Sequence, residues 1–347
     1  MTNSADKVLW AVLGQNNVLL GWPRDITTVD FVSSIARWNM LSSASTTFAR
    51  SFSATAVRNK VNNVTVIGAG LMGSGIAQVS ANAKLNVVLV DSNEGALKKA
   101  HSSIESSIKR VAKKLHADDA KAQEKLVAET IGKINTSTNV GDSVKNADLV
   151  IEAIVENIEI KRKLFAQVEE AARKDTLITT NTSSLRLEDI GKNLKDKTRF
   201  GGLHFFNPVP VMKLLEVVRH TETSDKTFNE LVDYGKSVGK ITVACKDTPG
   251  FIVNRLLVPY MFEALRLHER GDASMKDIDI AMKLGAGYPM GPFELGDYVG
   301  LDTCKFIMDG WHKQYPDEPA FSPSPLLNKL VDAGKTGRKS GEGFYKY

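Results

Sequence analysis

From Val64 onward the chain alternates short apolar runs with helical patterns. Val64-Thr-Val-Ile67 is a continuous apolar run of the kind a buried parallel strand shows. It passes through Gly68-Ala69-Gly70-Leu71-Met72-Gly73 into a predicted helix from Ser74 to Ala83, and then into a second strand, Asn86–Val90, which ends at Asp91. Residues Glu94–Leu115 read as a helix and open a helical hairpin at about 94–125. Strand-like runs follow at Leu149–Val155, Thr176–Thr180 and Phe200–Phe206. Between the first two, Glu159–Lys174 is apolar at Ile160, Leu164, Phe165, Val168, Ala171 and Ala172, the spacing of an amphipathic helix. Strand and helix alternate, so residues 61–246 are expected to form an α/β domain, a Rossmann-type, doubly wound and largely parallel sheet.

After Lys246 the alternation stops. Asp247-Thr248-Pro249-Gly250 reads as a turn and helix start. From Phe251 to His268 the residues are apolar on nearly every side, with Pro259 as a kink. A helix of that kind has to be covered by neighbours or by a partner chain. Met275–Leu284 and Leu301–Tyr315 also suit helices, and no strand pattern appears, so 247–347 is predicted to be an all-helical C-terminal domain.

Composition narrows the function classes. The formal charge is +5 over 347 residues, but Lys7, Arg24, Arg37, Arg50, Arg58 and Lys60 outweigh Asp6, Asp25 and Asp30 in residues 1–60, which hold +3 of it. A nucleic-acid binder concentrates positive charge on a folded face, so no nucleic-acid partner is expected. Cys245 and Cys304 lie far apart with no C-x-x-C around either, which argues against a disulfide framework or a cysteine-held metal. No apolar run is long enough for a membrane span. Residues 40–60 are cationic, free of acids and rich in Ser, Thr and Ala, which is the composition of a mitochondrial transit peptide. The leader, 1–60, is therefore expected to carry an import signal beginning at Met40 and to direct the protein to the mitochondrial matrix.

A glycine fingerprint set between strand and helix, with an acid closing the next strand, predicts dinucleotide binding. Gly68 permits the tight turn, Gly70 lets backbone approach the pyrophosphate, and Gly73 lets the helix pack on the strand. Asp91 would accept from ribose hydroxyls and repel a 2′-phosphate, and Ser92, Asn93 and Glu94 offer no arginine, so NAD is preferred over NADP. Glu156, Lys161, Asn181, Ser183 and His204 follow strand ends and could share one cleft. Glu156 with Lys161 also reads as a solvated pair at a helix start. Pro208 and Pro210 turn the chain between two strands, so His204 and Glu216 could face each other. An imidazole titrating near pH ~6.5 suits the base a dehydrogenase needs, with a carboxylate to orient it. A lone histidine at a strand end is also commonly structural. The segment from Lys98 to Lys114, with Lys99, Lys109, Arg110 and Lys113, could attract a phosphorylated ligand or could be a solvated basic face.

The stretches GAGLMGSGIAQ (68–78), NTSSL (181–185), GLHFFNPVPVMKLLEVV (202–218), DTPGFIVNRLL (247–257) and GYPMGPFELGDYVGLD (287–302) resemble the short-chain L-3-hydroxyacyl-coenzyme A dehydrogenases of mitochondria. The likeness covers about residues 61 to 347. It implies NAD-dependent, reversible oxidation of an L-3-hydroxyacyl-coenzyme A to the 3-ketoacyl thioester in fatty-acid β-oxidation, by a homodimer joined through its C-terminal domain. It makes His204 the general base and Glu216 its partner, with Ser183, Asn207 and Asn254 at the reacting groups. It also implies that Ala69, Leu71, Met72, Glu156, Lys161, Ser183, Asn207 and Lys339 contact NAD, and that Ser107, Lys114 and Ser183 contact the coenzyme A thioester. Two alternatives share the scaffold. One is a sugar-acid (L-gulonate-type) dehydrogenase, against which the basic segment at 98–114 argues. The other is a structural, crystallin-like NAD-holding protein, against which intact His204 and Glu216 argue.

Overall fold

The computed structural model describes residues 61–347. The expected leader, with its import signal from Met40, lies outside the described residues. One eight-stranded sheet has the order β3-β2-β1-β4-β5-β6-β7-β8. β1 (Asn63–Ile67), β2 (Asn86–Val90), β3 (Ile134–Ser137), β4 (Leu149–Glu152), β5 (Leu177–Thr180) and β6 (Phe200–Phe205) are parallel. β7 (Leu214–Arg219) runs antiparallel to β6, and β8 (Ile241–Lys246) parallel to β7.

Alternation along the strands feeds two cores, one on each face. Val64, Val66, Val87 and Leu89 pack with Ile76 of α1 (Leu71–Asn82) and with Ile104 and Ile108 of α2 (Glu94–Leu115). Ile67, Val90, Val150 and Ile178 point the other way, α4 (Val140–Val144) giving Val144 and α5 (Ile158–Ala171) giving Phe165 and Val168 to that core. The sheet reverses its winding between β1 and β4, which opens a crevice beyond their carboxyl ends.

Several boundaries differ from the sequence expectation for physical reasons. α1 starts at Leu71 rather than Ser74, because extended Gly70 serves as its N-cap without any side-chain bond. β4 stops at Glu152 rather than Val155, since the Glu152 carboxylate turns back to accept from the Ile154 N–H at 2.8 Å. The hairpin partner of α2 is α3 (Ala120–Ile131), which runs past residue 125 and is capped by Asp119. Edge strands β3 and β8 do not read as buried strands: three of the four residues in Ile134-Asn-Thr-Ser137 are polar, and β8, though apolar at Ile241, Val243, Ala244 and Cys245, is largely exposed.

In the helical unit, the first helix after Asp247 begins at Val253. Residues between them form a tight turn with Gly250 at φ +74 and Phe251 at φ +54. α8 (Val253–Glu269), α9 (Met275–Gly285), α10 (Pro292–Val299), α11 (Leu301–Gln314) and α12 (Pro325–Asp332) complete it; α6 (Leu187–Ile190) and α7 (Asp225–Ser237) belong to the sheet region. Val258, Met261, Phe262 and Leu265 of α8 fill its core with Phe293, Met308 and Trp311, but Leu256 stays 69% exposed. The C-terminal residues strap onto α10. Asp297, 1% exposed, accepts from the Phe344 and Tyr345 N–H groups, both at 2.9 Å, and from Tyr347 Oη at 3.0 Å. Asp279 accepts from Tyr345 Oη at 2.7 Å, and burial together with that bond pushes the Tyr345 phenol well above its ordinary range. Among the described residues no helix is long and apolar enough to cross a membrane, and no group of three His, Cys, Asp or Glu residues could hold a metal ion.

Asp297→Ala leaves two part-buried N–H groups and a phenol without their acceptor. It should cost about 2–4 kcal/mol, read as a lowered urea midpoint. An unchanged midpoint would mean that the strap adds nothing to stability.

Candidate active site

The antiparallel register of β6 and β7 sets His204 directly opposite Glu216. Both are buried, at 4% and 0% exposure, and His204 Nδ1 lies 2.7 Å from Glu216 Oε2. A carboxylate can only accept, so Nδ1 carries the hydrogen, and in the neutral ring Nε2 keeps its lone pair. The other carboxylate oxygen, Oε1, accepts from the N–H groups of Ile252 and Val253 at 3.2 and 2.9 Å. These are orphan donors at the start of α8, at the positive end of its dipole. Phe206 and Phe251 wall the imidazole, with ring centroids at 4.5 and 5.4 Å. The left-handed backbone of Phe251, unusual for a bulky residue, is what lays its ring there.

His204, Glu156, Lys161, Asn181 and Ser183 line one cleft of about 280 Å³, together with Met72 and Asn207. The solvated reading of Glu156 and Lys161 does not hold for the lysine. Lys161 is 1% exposed, 2.6 Å from Glu152 and 3.2 Å from Glu156. Glu156 in turn accepts from the Ser183 N–H at 2.8 Å and from Thr182 Oγ1 at 2.9 Å, holding the loop after β5. Asn181 Oδ1 accepts from the Phe205 N–H at 2.8 Å, tying that loop to β6. Asn254 reaches the same loop, donating from Nδ2 to the Ser183 carbonyl at 3.3 Å. Asn207 precedes Pro208 through a cis peptide bond, and the loop behind it is held by Lys240, whose ammonium donates to the carbonyls of Val209 and Met212. Burial, with Lys213 nearby, pulls the Lys240 ammonium below its usual range.

The glycine turn meets steric demands that only glycine satisfies. A Cβ on Gly68 (φ +111) would sit 2.5 Å from the Ala153 carbonyl oxygen, and one on Gly73 would sit 1.8 Å from the Gly68 carbonyl oxygen. Nothing lies within 4 Å of the corresponding point on Gly70. That side is open above the uncapped N-terminus of α1, where phosphates are favoured. Asp91 takes the Ala69 N–H on one oxygen and the Asn93 N–H on the other, both at 2.9 Å, which fixes the carboxylate at the end of β2. The Ala69 amide is thereby committed to Asp91. A dinucleotide fits this cradle: open backbone for the pyrophosphate, an oriented acid for the ribose, and a cleft leading to His204.

Ser107, Lys114 and Lys339 are not among the residues that line that cleft. Ser107 and Lys114 stand two turns apart on one face of α2, with Lys114 exposed. Lys339 pairs with Asp302 of α11 at 2.6 Å. A larger hollow, about 690 Å³ between α2 and the end of β3, is lined by Lys98, His101, Ser102 and Thr138 and holds none of the predicted site residues. Sequence reasoning missed Glu152, Phe251, Lys240 and Asp247. Asp247, at the end of β8, accepts from the Leu187 and Glu188 N–H groups at 2.8 and 2.9 Å. Glu152 interrupts the apolar run Leu149–Val155, but nothing in the spacing shows its burial; Lys240 carried no signal.

Dinucleotide cradle and imidazole–carboxylate cleft together define a nicotinamide-dependent dehydrogenase. The family model for the NAD binding domain of 3-hydroxyacyl-CoA dehydrogenase matches residues 63–248, and that for its C-terminal domain matches 250–347. A probable 3-hydroxyacyl-CoA dehydrogenase of Caenorhabditis elegans is 80% identical over 308 residues, covering 89% of this chain and 100% of the relative. The human mitochondrial hydroxyacyl-coenzyme A dehydrogenase is 58% identical over 295 residues, 85% of this chain and 94% of that one. Among solved structures, the (S)-3-hydroxybutyryl-CoA dehydrogenase of Ralstonia eutropha is 39% identical with a TM-score of 0.78, covering 83% of this chain and 99% of that one. The chain belongs to the 3-hydroxyacyl-CoA dehydrogenase family.

Glu216→Gln has a defined expected outcome. Two backbone donors at α8 outvote one imidazole donor, so the amide oxygen should face Ile252 and Val253 and the amide NH₂ should face His204. Nδ1 then becomes the acceptor and the hydrogen moves to Nε2. Long-range ¹H–¹⁵N spectra of the imidazole should report this tautomer exchange, at a stability cost of about 1–3 kcal/mol. An unchanged tautomer would refute the assigned bonding.

Proposed function

We propose that this protein catalyses the reversible NAD-dependent oxidation of L-3-hydroxyacyl-coenzyme A to 3-ketoacyl-coenzyme A in fatty-acid β-oxidation, with His204 as general base and Glu216 as its partner. The observation that carries the assignment is the buried 2.7 Å bond between Nδ1 and Glu216, which leaves Nε2 as the free acceptor in the cleft that also holds Ser183. Bound NAD supplies the hydride acceptor. His204 takes the proton of the 3-hydroxyl as the carbonyl forms, and Glu216 stabilises the imidazolium that results. Ser183 and Asn254 hold the substrate oxygen in register, and Asn207 supports the reacting end from the neighbouring loop. Glu156, Lys161 and Lys339 are assigned to the cofactor, with Gly68 to Gly73 and Asp91 at its other end.

Ser107 and Lys114 are assigned to the coenzyme A moiety, whose phosphates the basic face of α2 would attract. The division of labour follows the folding pattern, a dinucleotide unit over 61–246 and a helical unit over 247–347. The helical unit is assigned to a homodimer; Leu256, Leu284 and Phe306, at 69%, 84% and 55% exposure, are apolar surface that a second copy would cover. The mammalian relatives are named mitochondrial, and with the cationic, acid-free composition of residues 40–60 this supports import to the matrix.

NADH oxidation with acetoacetyl-coenzyme A tests the reading directly. Wild-type protein should turn over, and His204→Gln should lose about 10²–10⁴-fold in kcat while NADH affinity stays within about twofold. Retained turnover in the variant, or none in the wild type, would overturn the mechanism or the activity respectively.

Lys114→Ala should raise KM for acetoacetyl-coenzyme A about tenfold, as expected for one lost charge-assisted contact. It should leave KM unchanged for a pantetheine-truncated thioester. Equal effects on both substrates would remove Lys114 from the coenzyme A site.

A further inference from the structure

The wall of the cleft opposite Glu216 carries charges that the proton transfer does not use. Glu152 closes β4 and is 0% exposed. One of its oxygens accepts from Lys161 Nζ at 2.6 Å and from the Ile154 N–H at 2.8 Å, and the other accepts from Thr180 Oγ1 at 2.7 Å. Lys161, itself 1% exposed, meets Glu156 at 3.2 Å on its other side. One ammonium thus serves two carboxylates, and the cluster sums formally to a single negative charge. A charge so placed is poorly screened by salt.

Nicotinamide changes charge when it reacts: the oxidised ring is cationic, the reduced ring neutral. A fixed negative charge in a partly desolvated cleft favours the cation. We propose that the Glu152–Lys161–Glu156 cluster biases the bound cofactor toward its oxidised form, with Glu152 supplying the carboxylate that leaves the cluster net negative. This rests on the reading above that the nicotinamide end occupies the His204 cleft. The bias loosens NADH relative to NAD, which eases release of the reduced product and strengthens it as a hydride donor in the reverse direction. A purely structural role for Glu152, tying α5 and β5 to β4, would weaken both cofactor forms alike.

Four forms of the full chain separate the two roles. Glu152→Gln makes the cluster formally neutral, Lys161→Met leaves two negative charges, and the double variant restores one. The measured quantity is the ratio of the NADH to the NAD dissociation constant, from fluorescence and calorimetry. Relative to wild type it should fall on the order of tenfold in Glu152→Gln and rise on the order of tenfold in Lys161→Met. The double variant should return to within about twofold of wild type, even if both affinities drop. Should Glu152→Gln alone fail to fold, Lys161→Met and the double variant still differ by one charge and must differ in the same sense. Equal ratios, or an order that does not follow charge, overturn the proposal. Failure of the functional reading would show instead in the wild type, as absent NADH binding or absent turnover.

Discussion

One carboxylate, that of Glu216, does two things at once, and the geometry of the cleft depends on both. Its first oxygen sets the tautomer and plane of His204; its second receives the opening N–H groups of α8. The imidazole and the entry to the helical unit are therefore fixed by the same side chain. Burying a carboxylate is costly unless charge-assisted bonds replace its water. Three such bonds and a helix N-terminus do so here. Because β6 and β7 are antiparallel neighbours, the pairing needs no long-range accident: their register alone brings His204 opposite Glu216.

The same solution recurs around the cleft. Loops beyond the strand ends have backbone groups that no ladder satisfies, and each is held by a buried or partly buried charge. Asp247 takes two N–H groups of the Leu187 turn, Lys240 takes the carbonyls behind Asn207, and Glu156 takes the Ser183 amide. Charge-assisted bonds are shorter and stronger than neutral ones, so a loop tied this way keeps its shape without forming regular structure. The positive φ of Phe251 is tolerated on the same grounds, since the next two residues are anchored on Glu216.

Much of this was legible before any coordinates. The glycine turn, Asp91 and the alternation of strand with helix are local signals, because sterics and periodicity act over a few residues. His204 and Glu216 were legible as a pair because two prolines mark the bend between them. Edge strands were not: three of the four residues of β3 are polar, and β8 is largely exposed, so neither reads as a strand of the buried sheet. Glu152, Lys240 and Asp247 were hidden for a different reason. Their importance lies in partners 60 or 28 residues away, or, for Glu152, in a burial that sequence spacing cannot express. Lys161 is the sharpest case. From its position at a helix start it reads as a solvated charge, yet the fold closes over it completely.

These two walls of the cleft complement each other electrostatically. In the proposed reaction a positive charge disappears from the nicotinamide ring while another appears on His204. The lost charge stood beside the Glu152–Lys161–Glu156 wall, whose net charge is negative; the new one forms beside Glu216. Each acid thus faces the place where positive charge resides on one side of the reaction. The total charge within the cleft does not change during the transfer; positive charge moves from one wall to the other, where a fixed carboxylate already stands. Such preorganisation is the condition under which fixed dipoles and charges outperform solvent. It also fits the near-complete burial of Glu152 and Glu216. Were either of these two carboxylates solvated, it would be screened, and the balance between the walls would weaken.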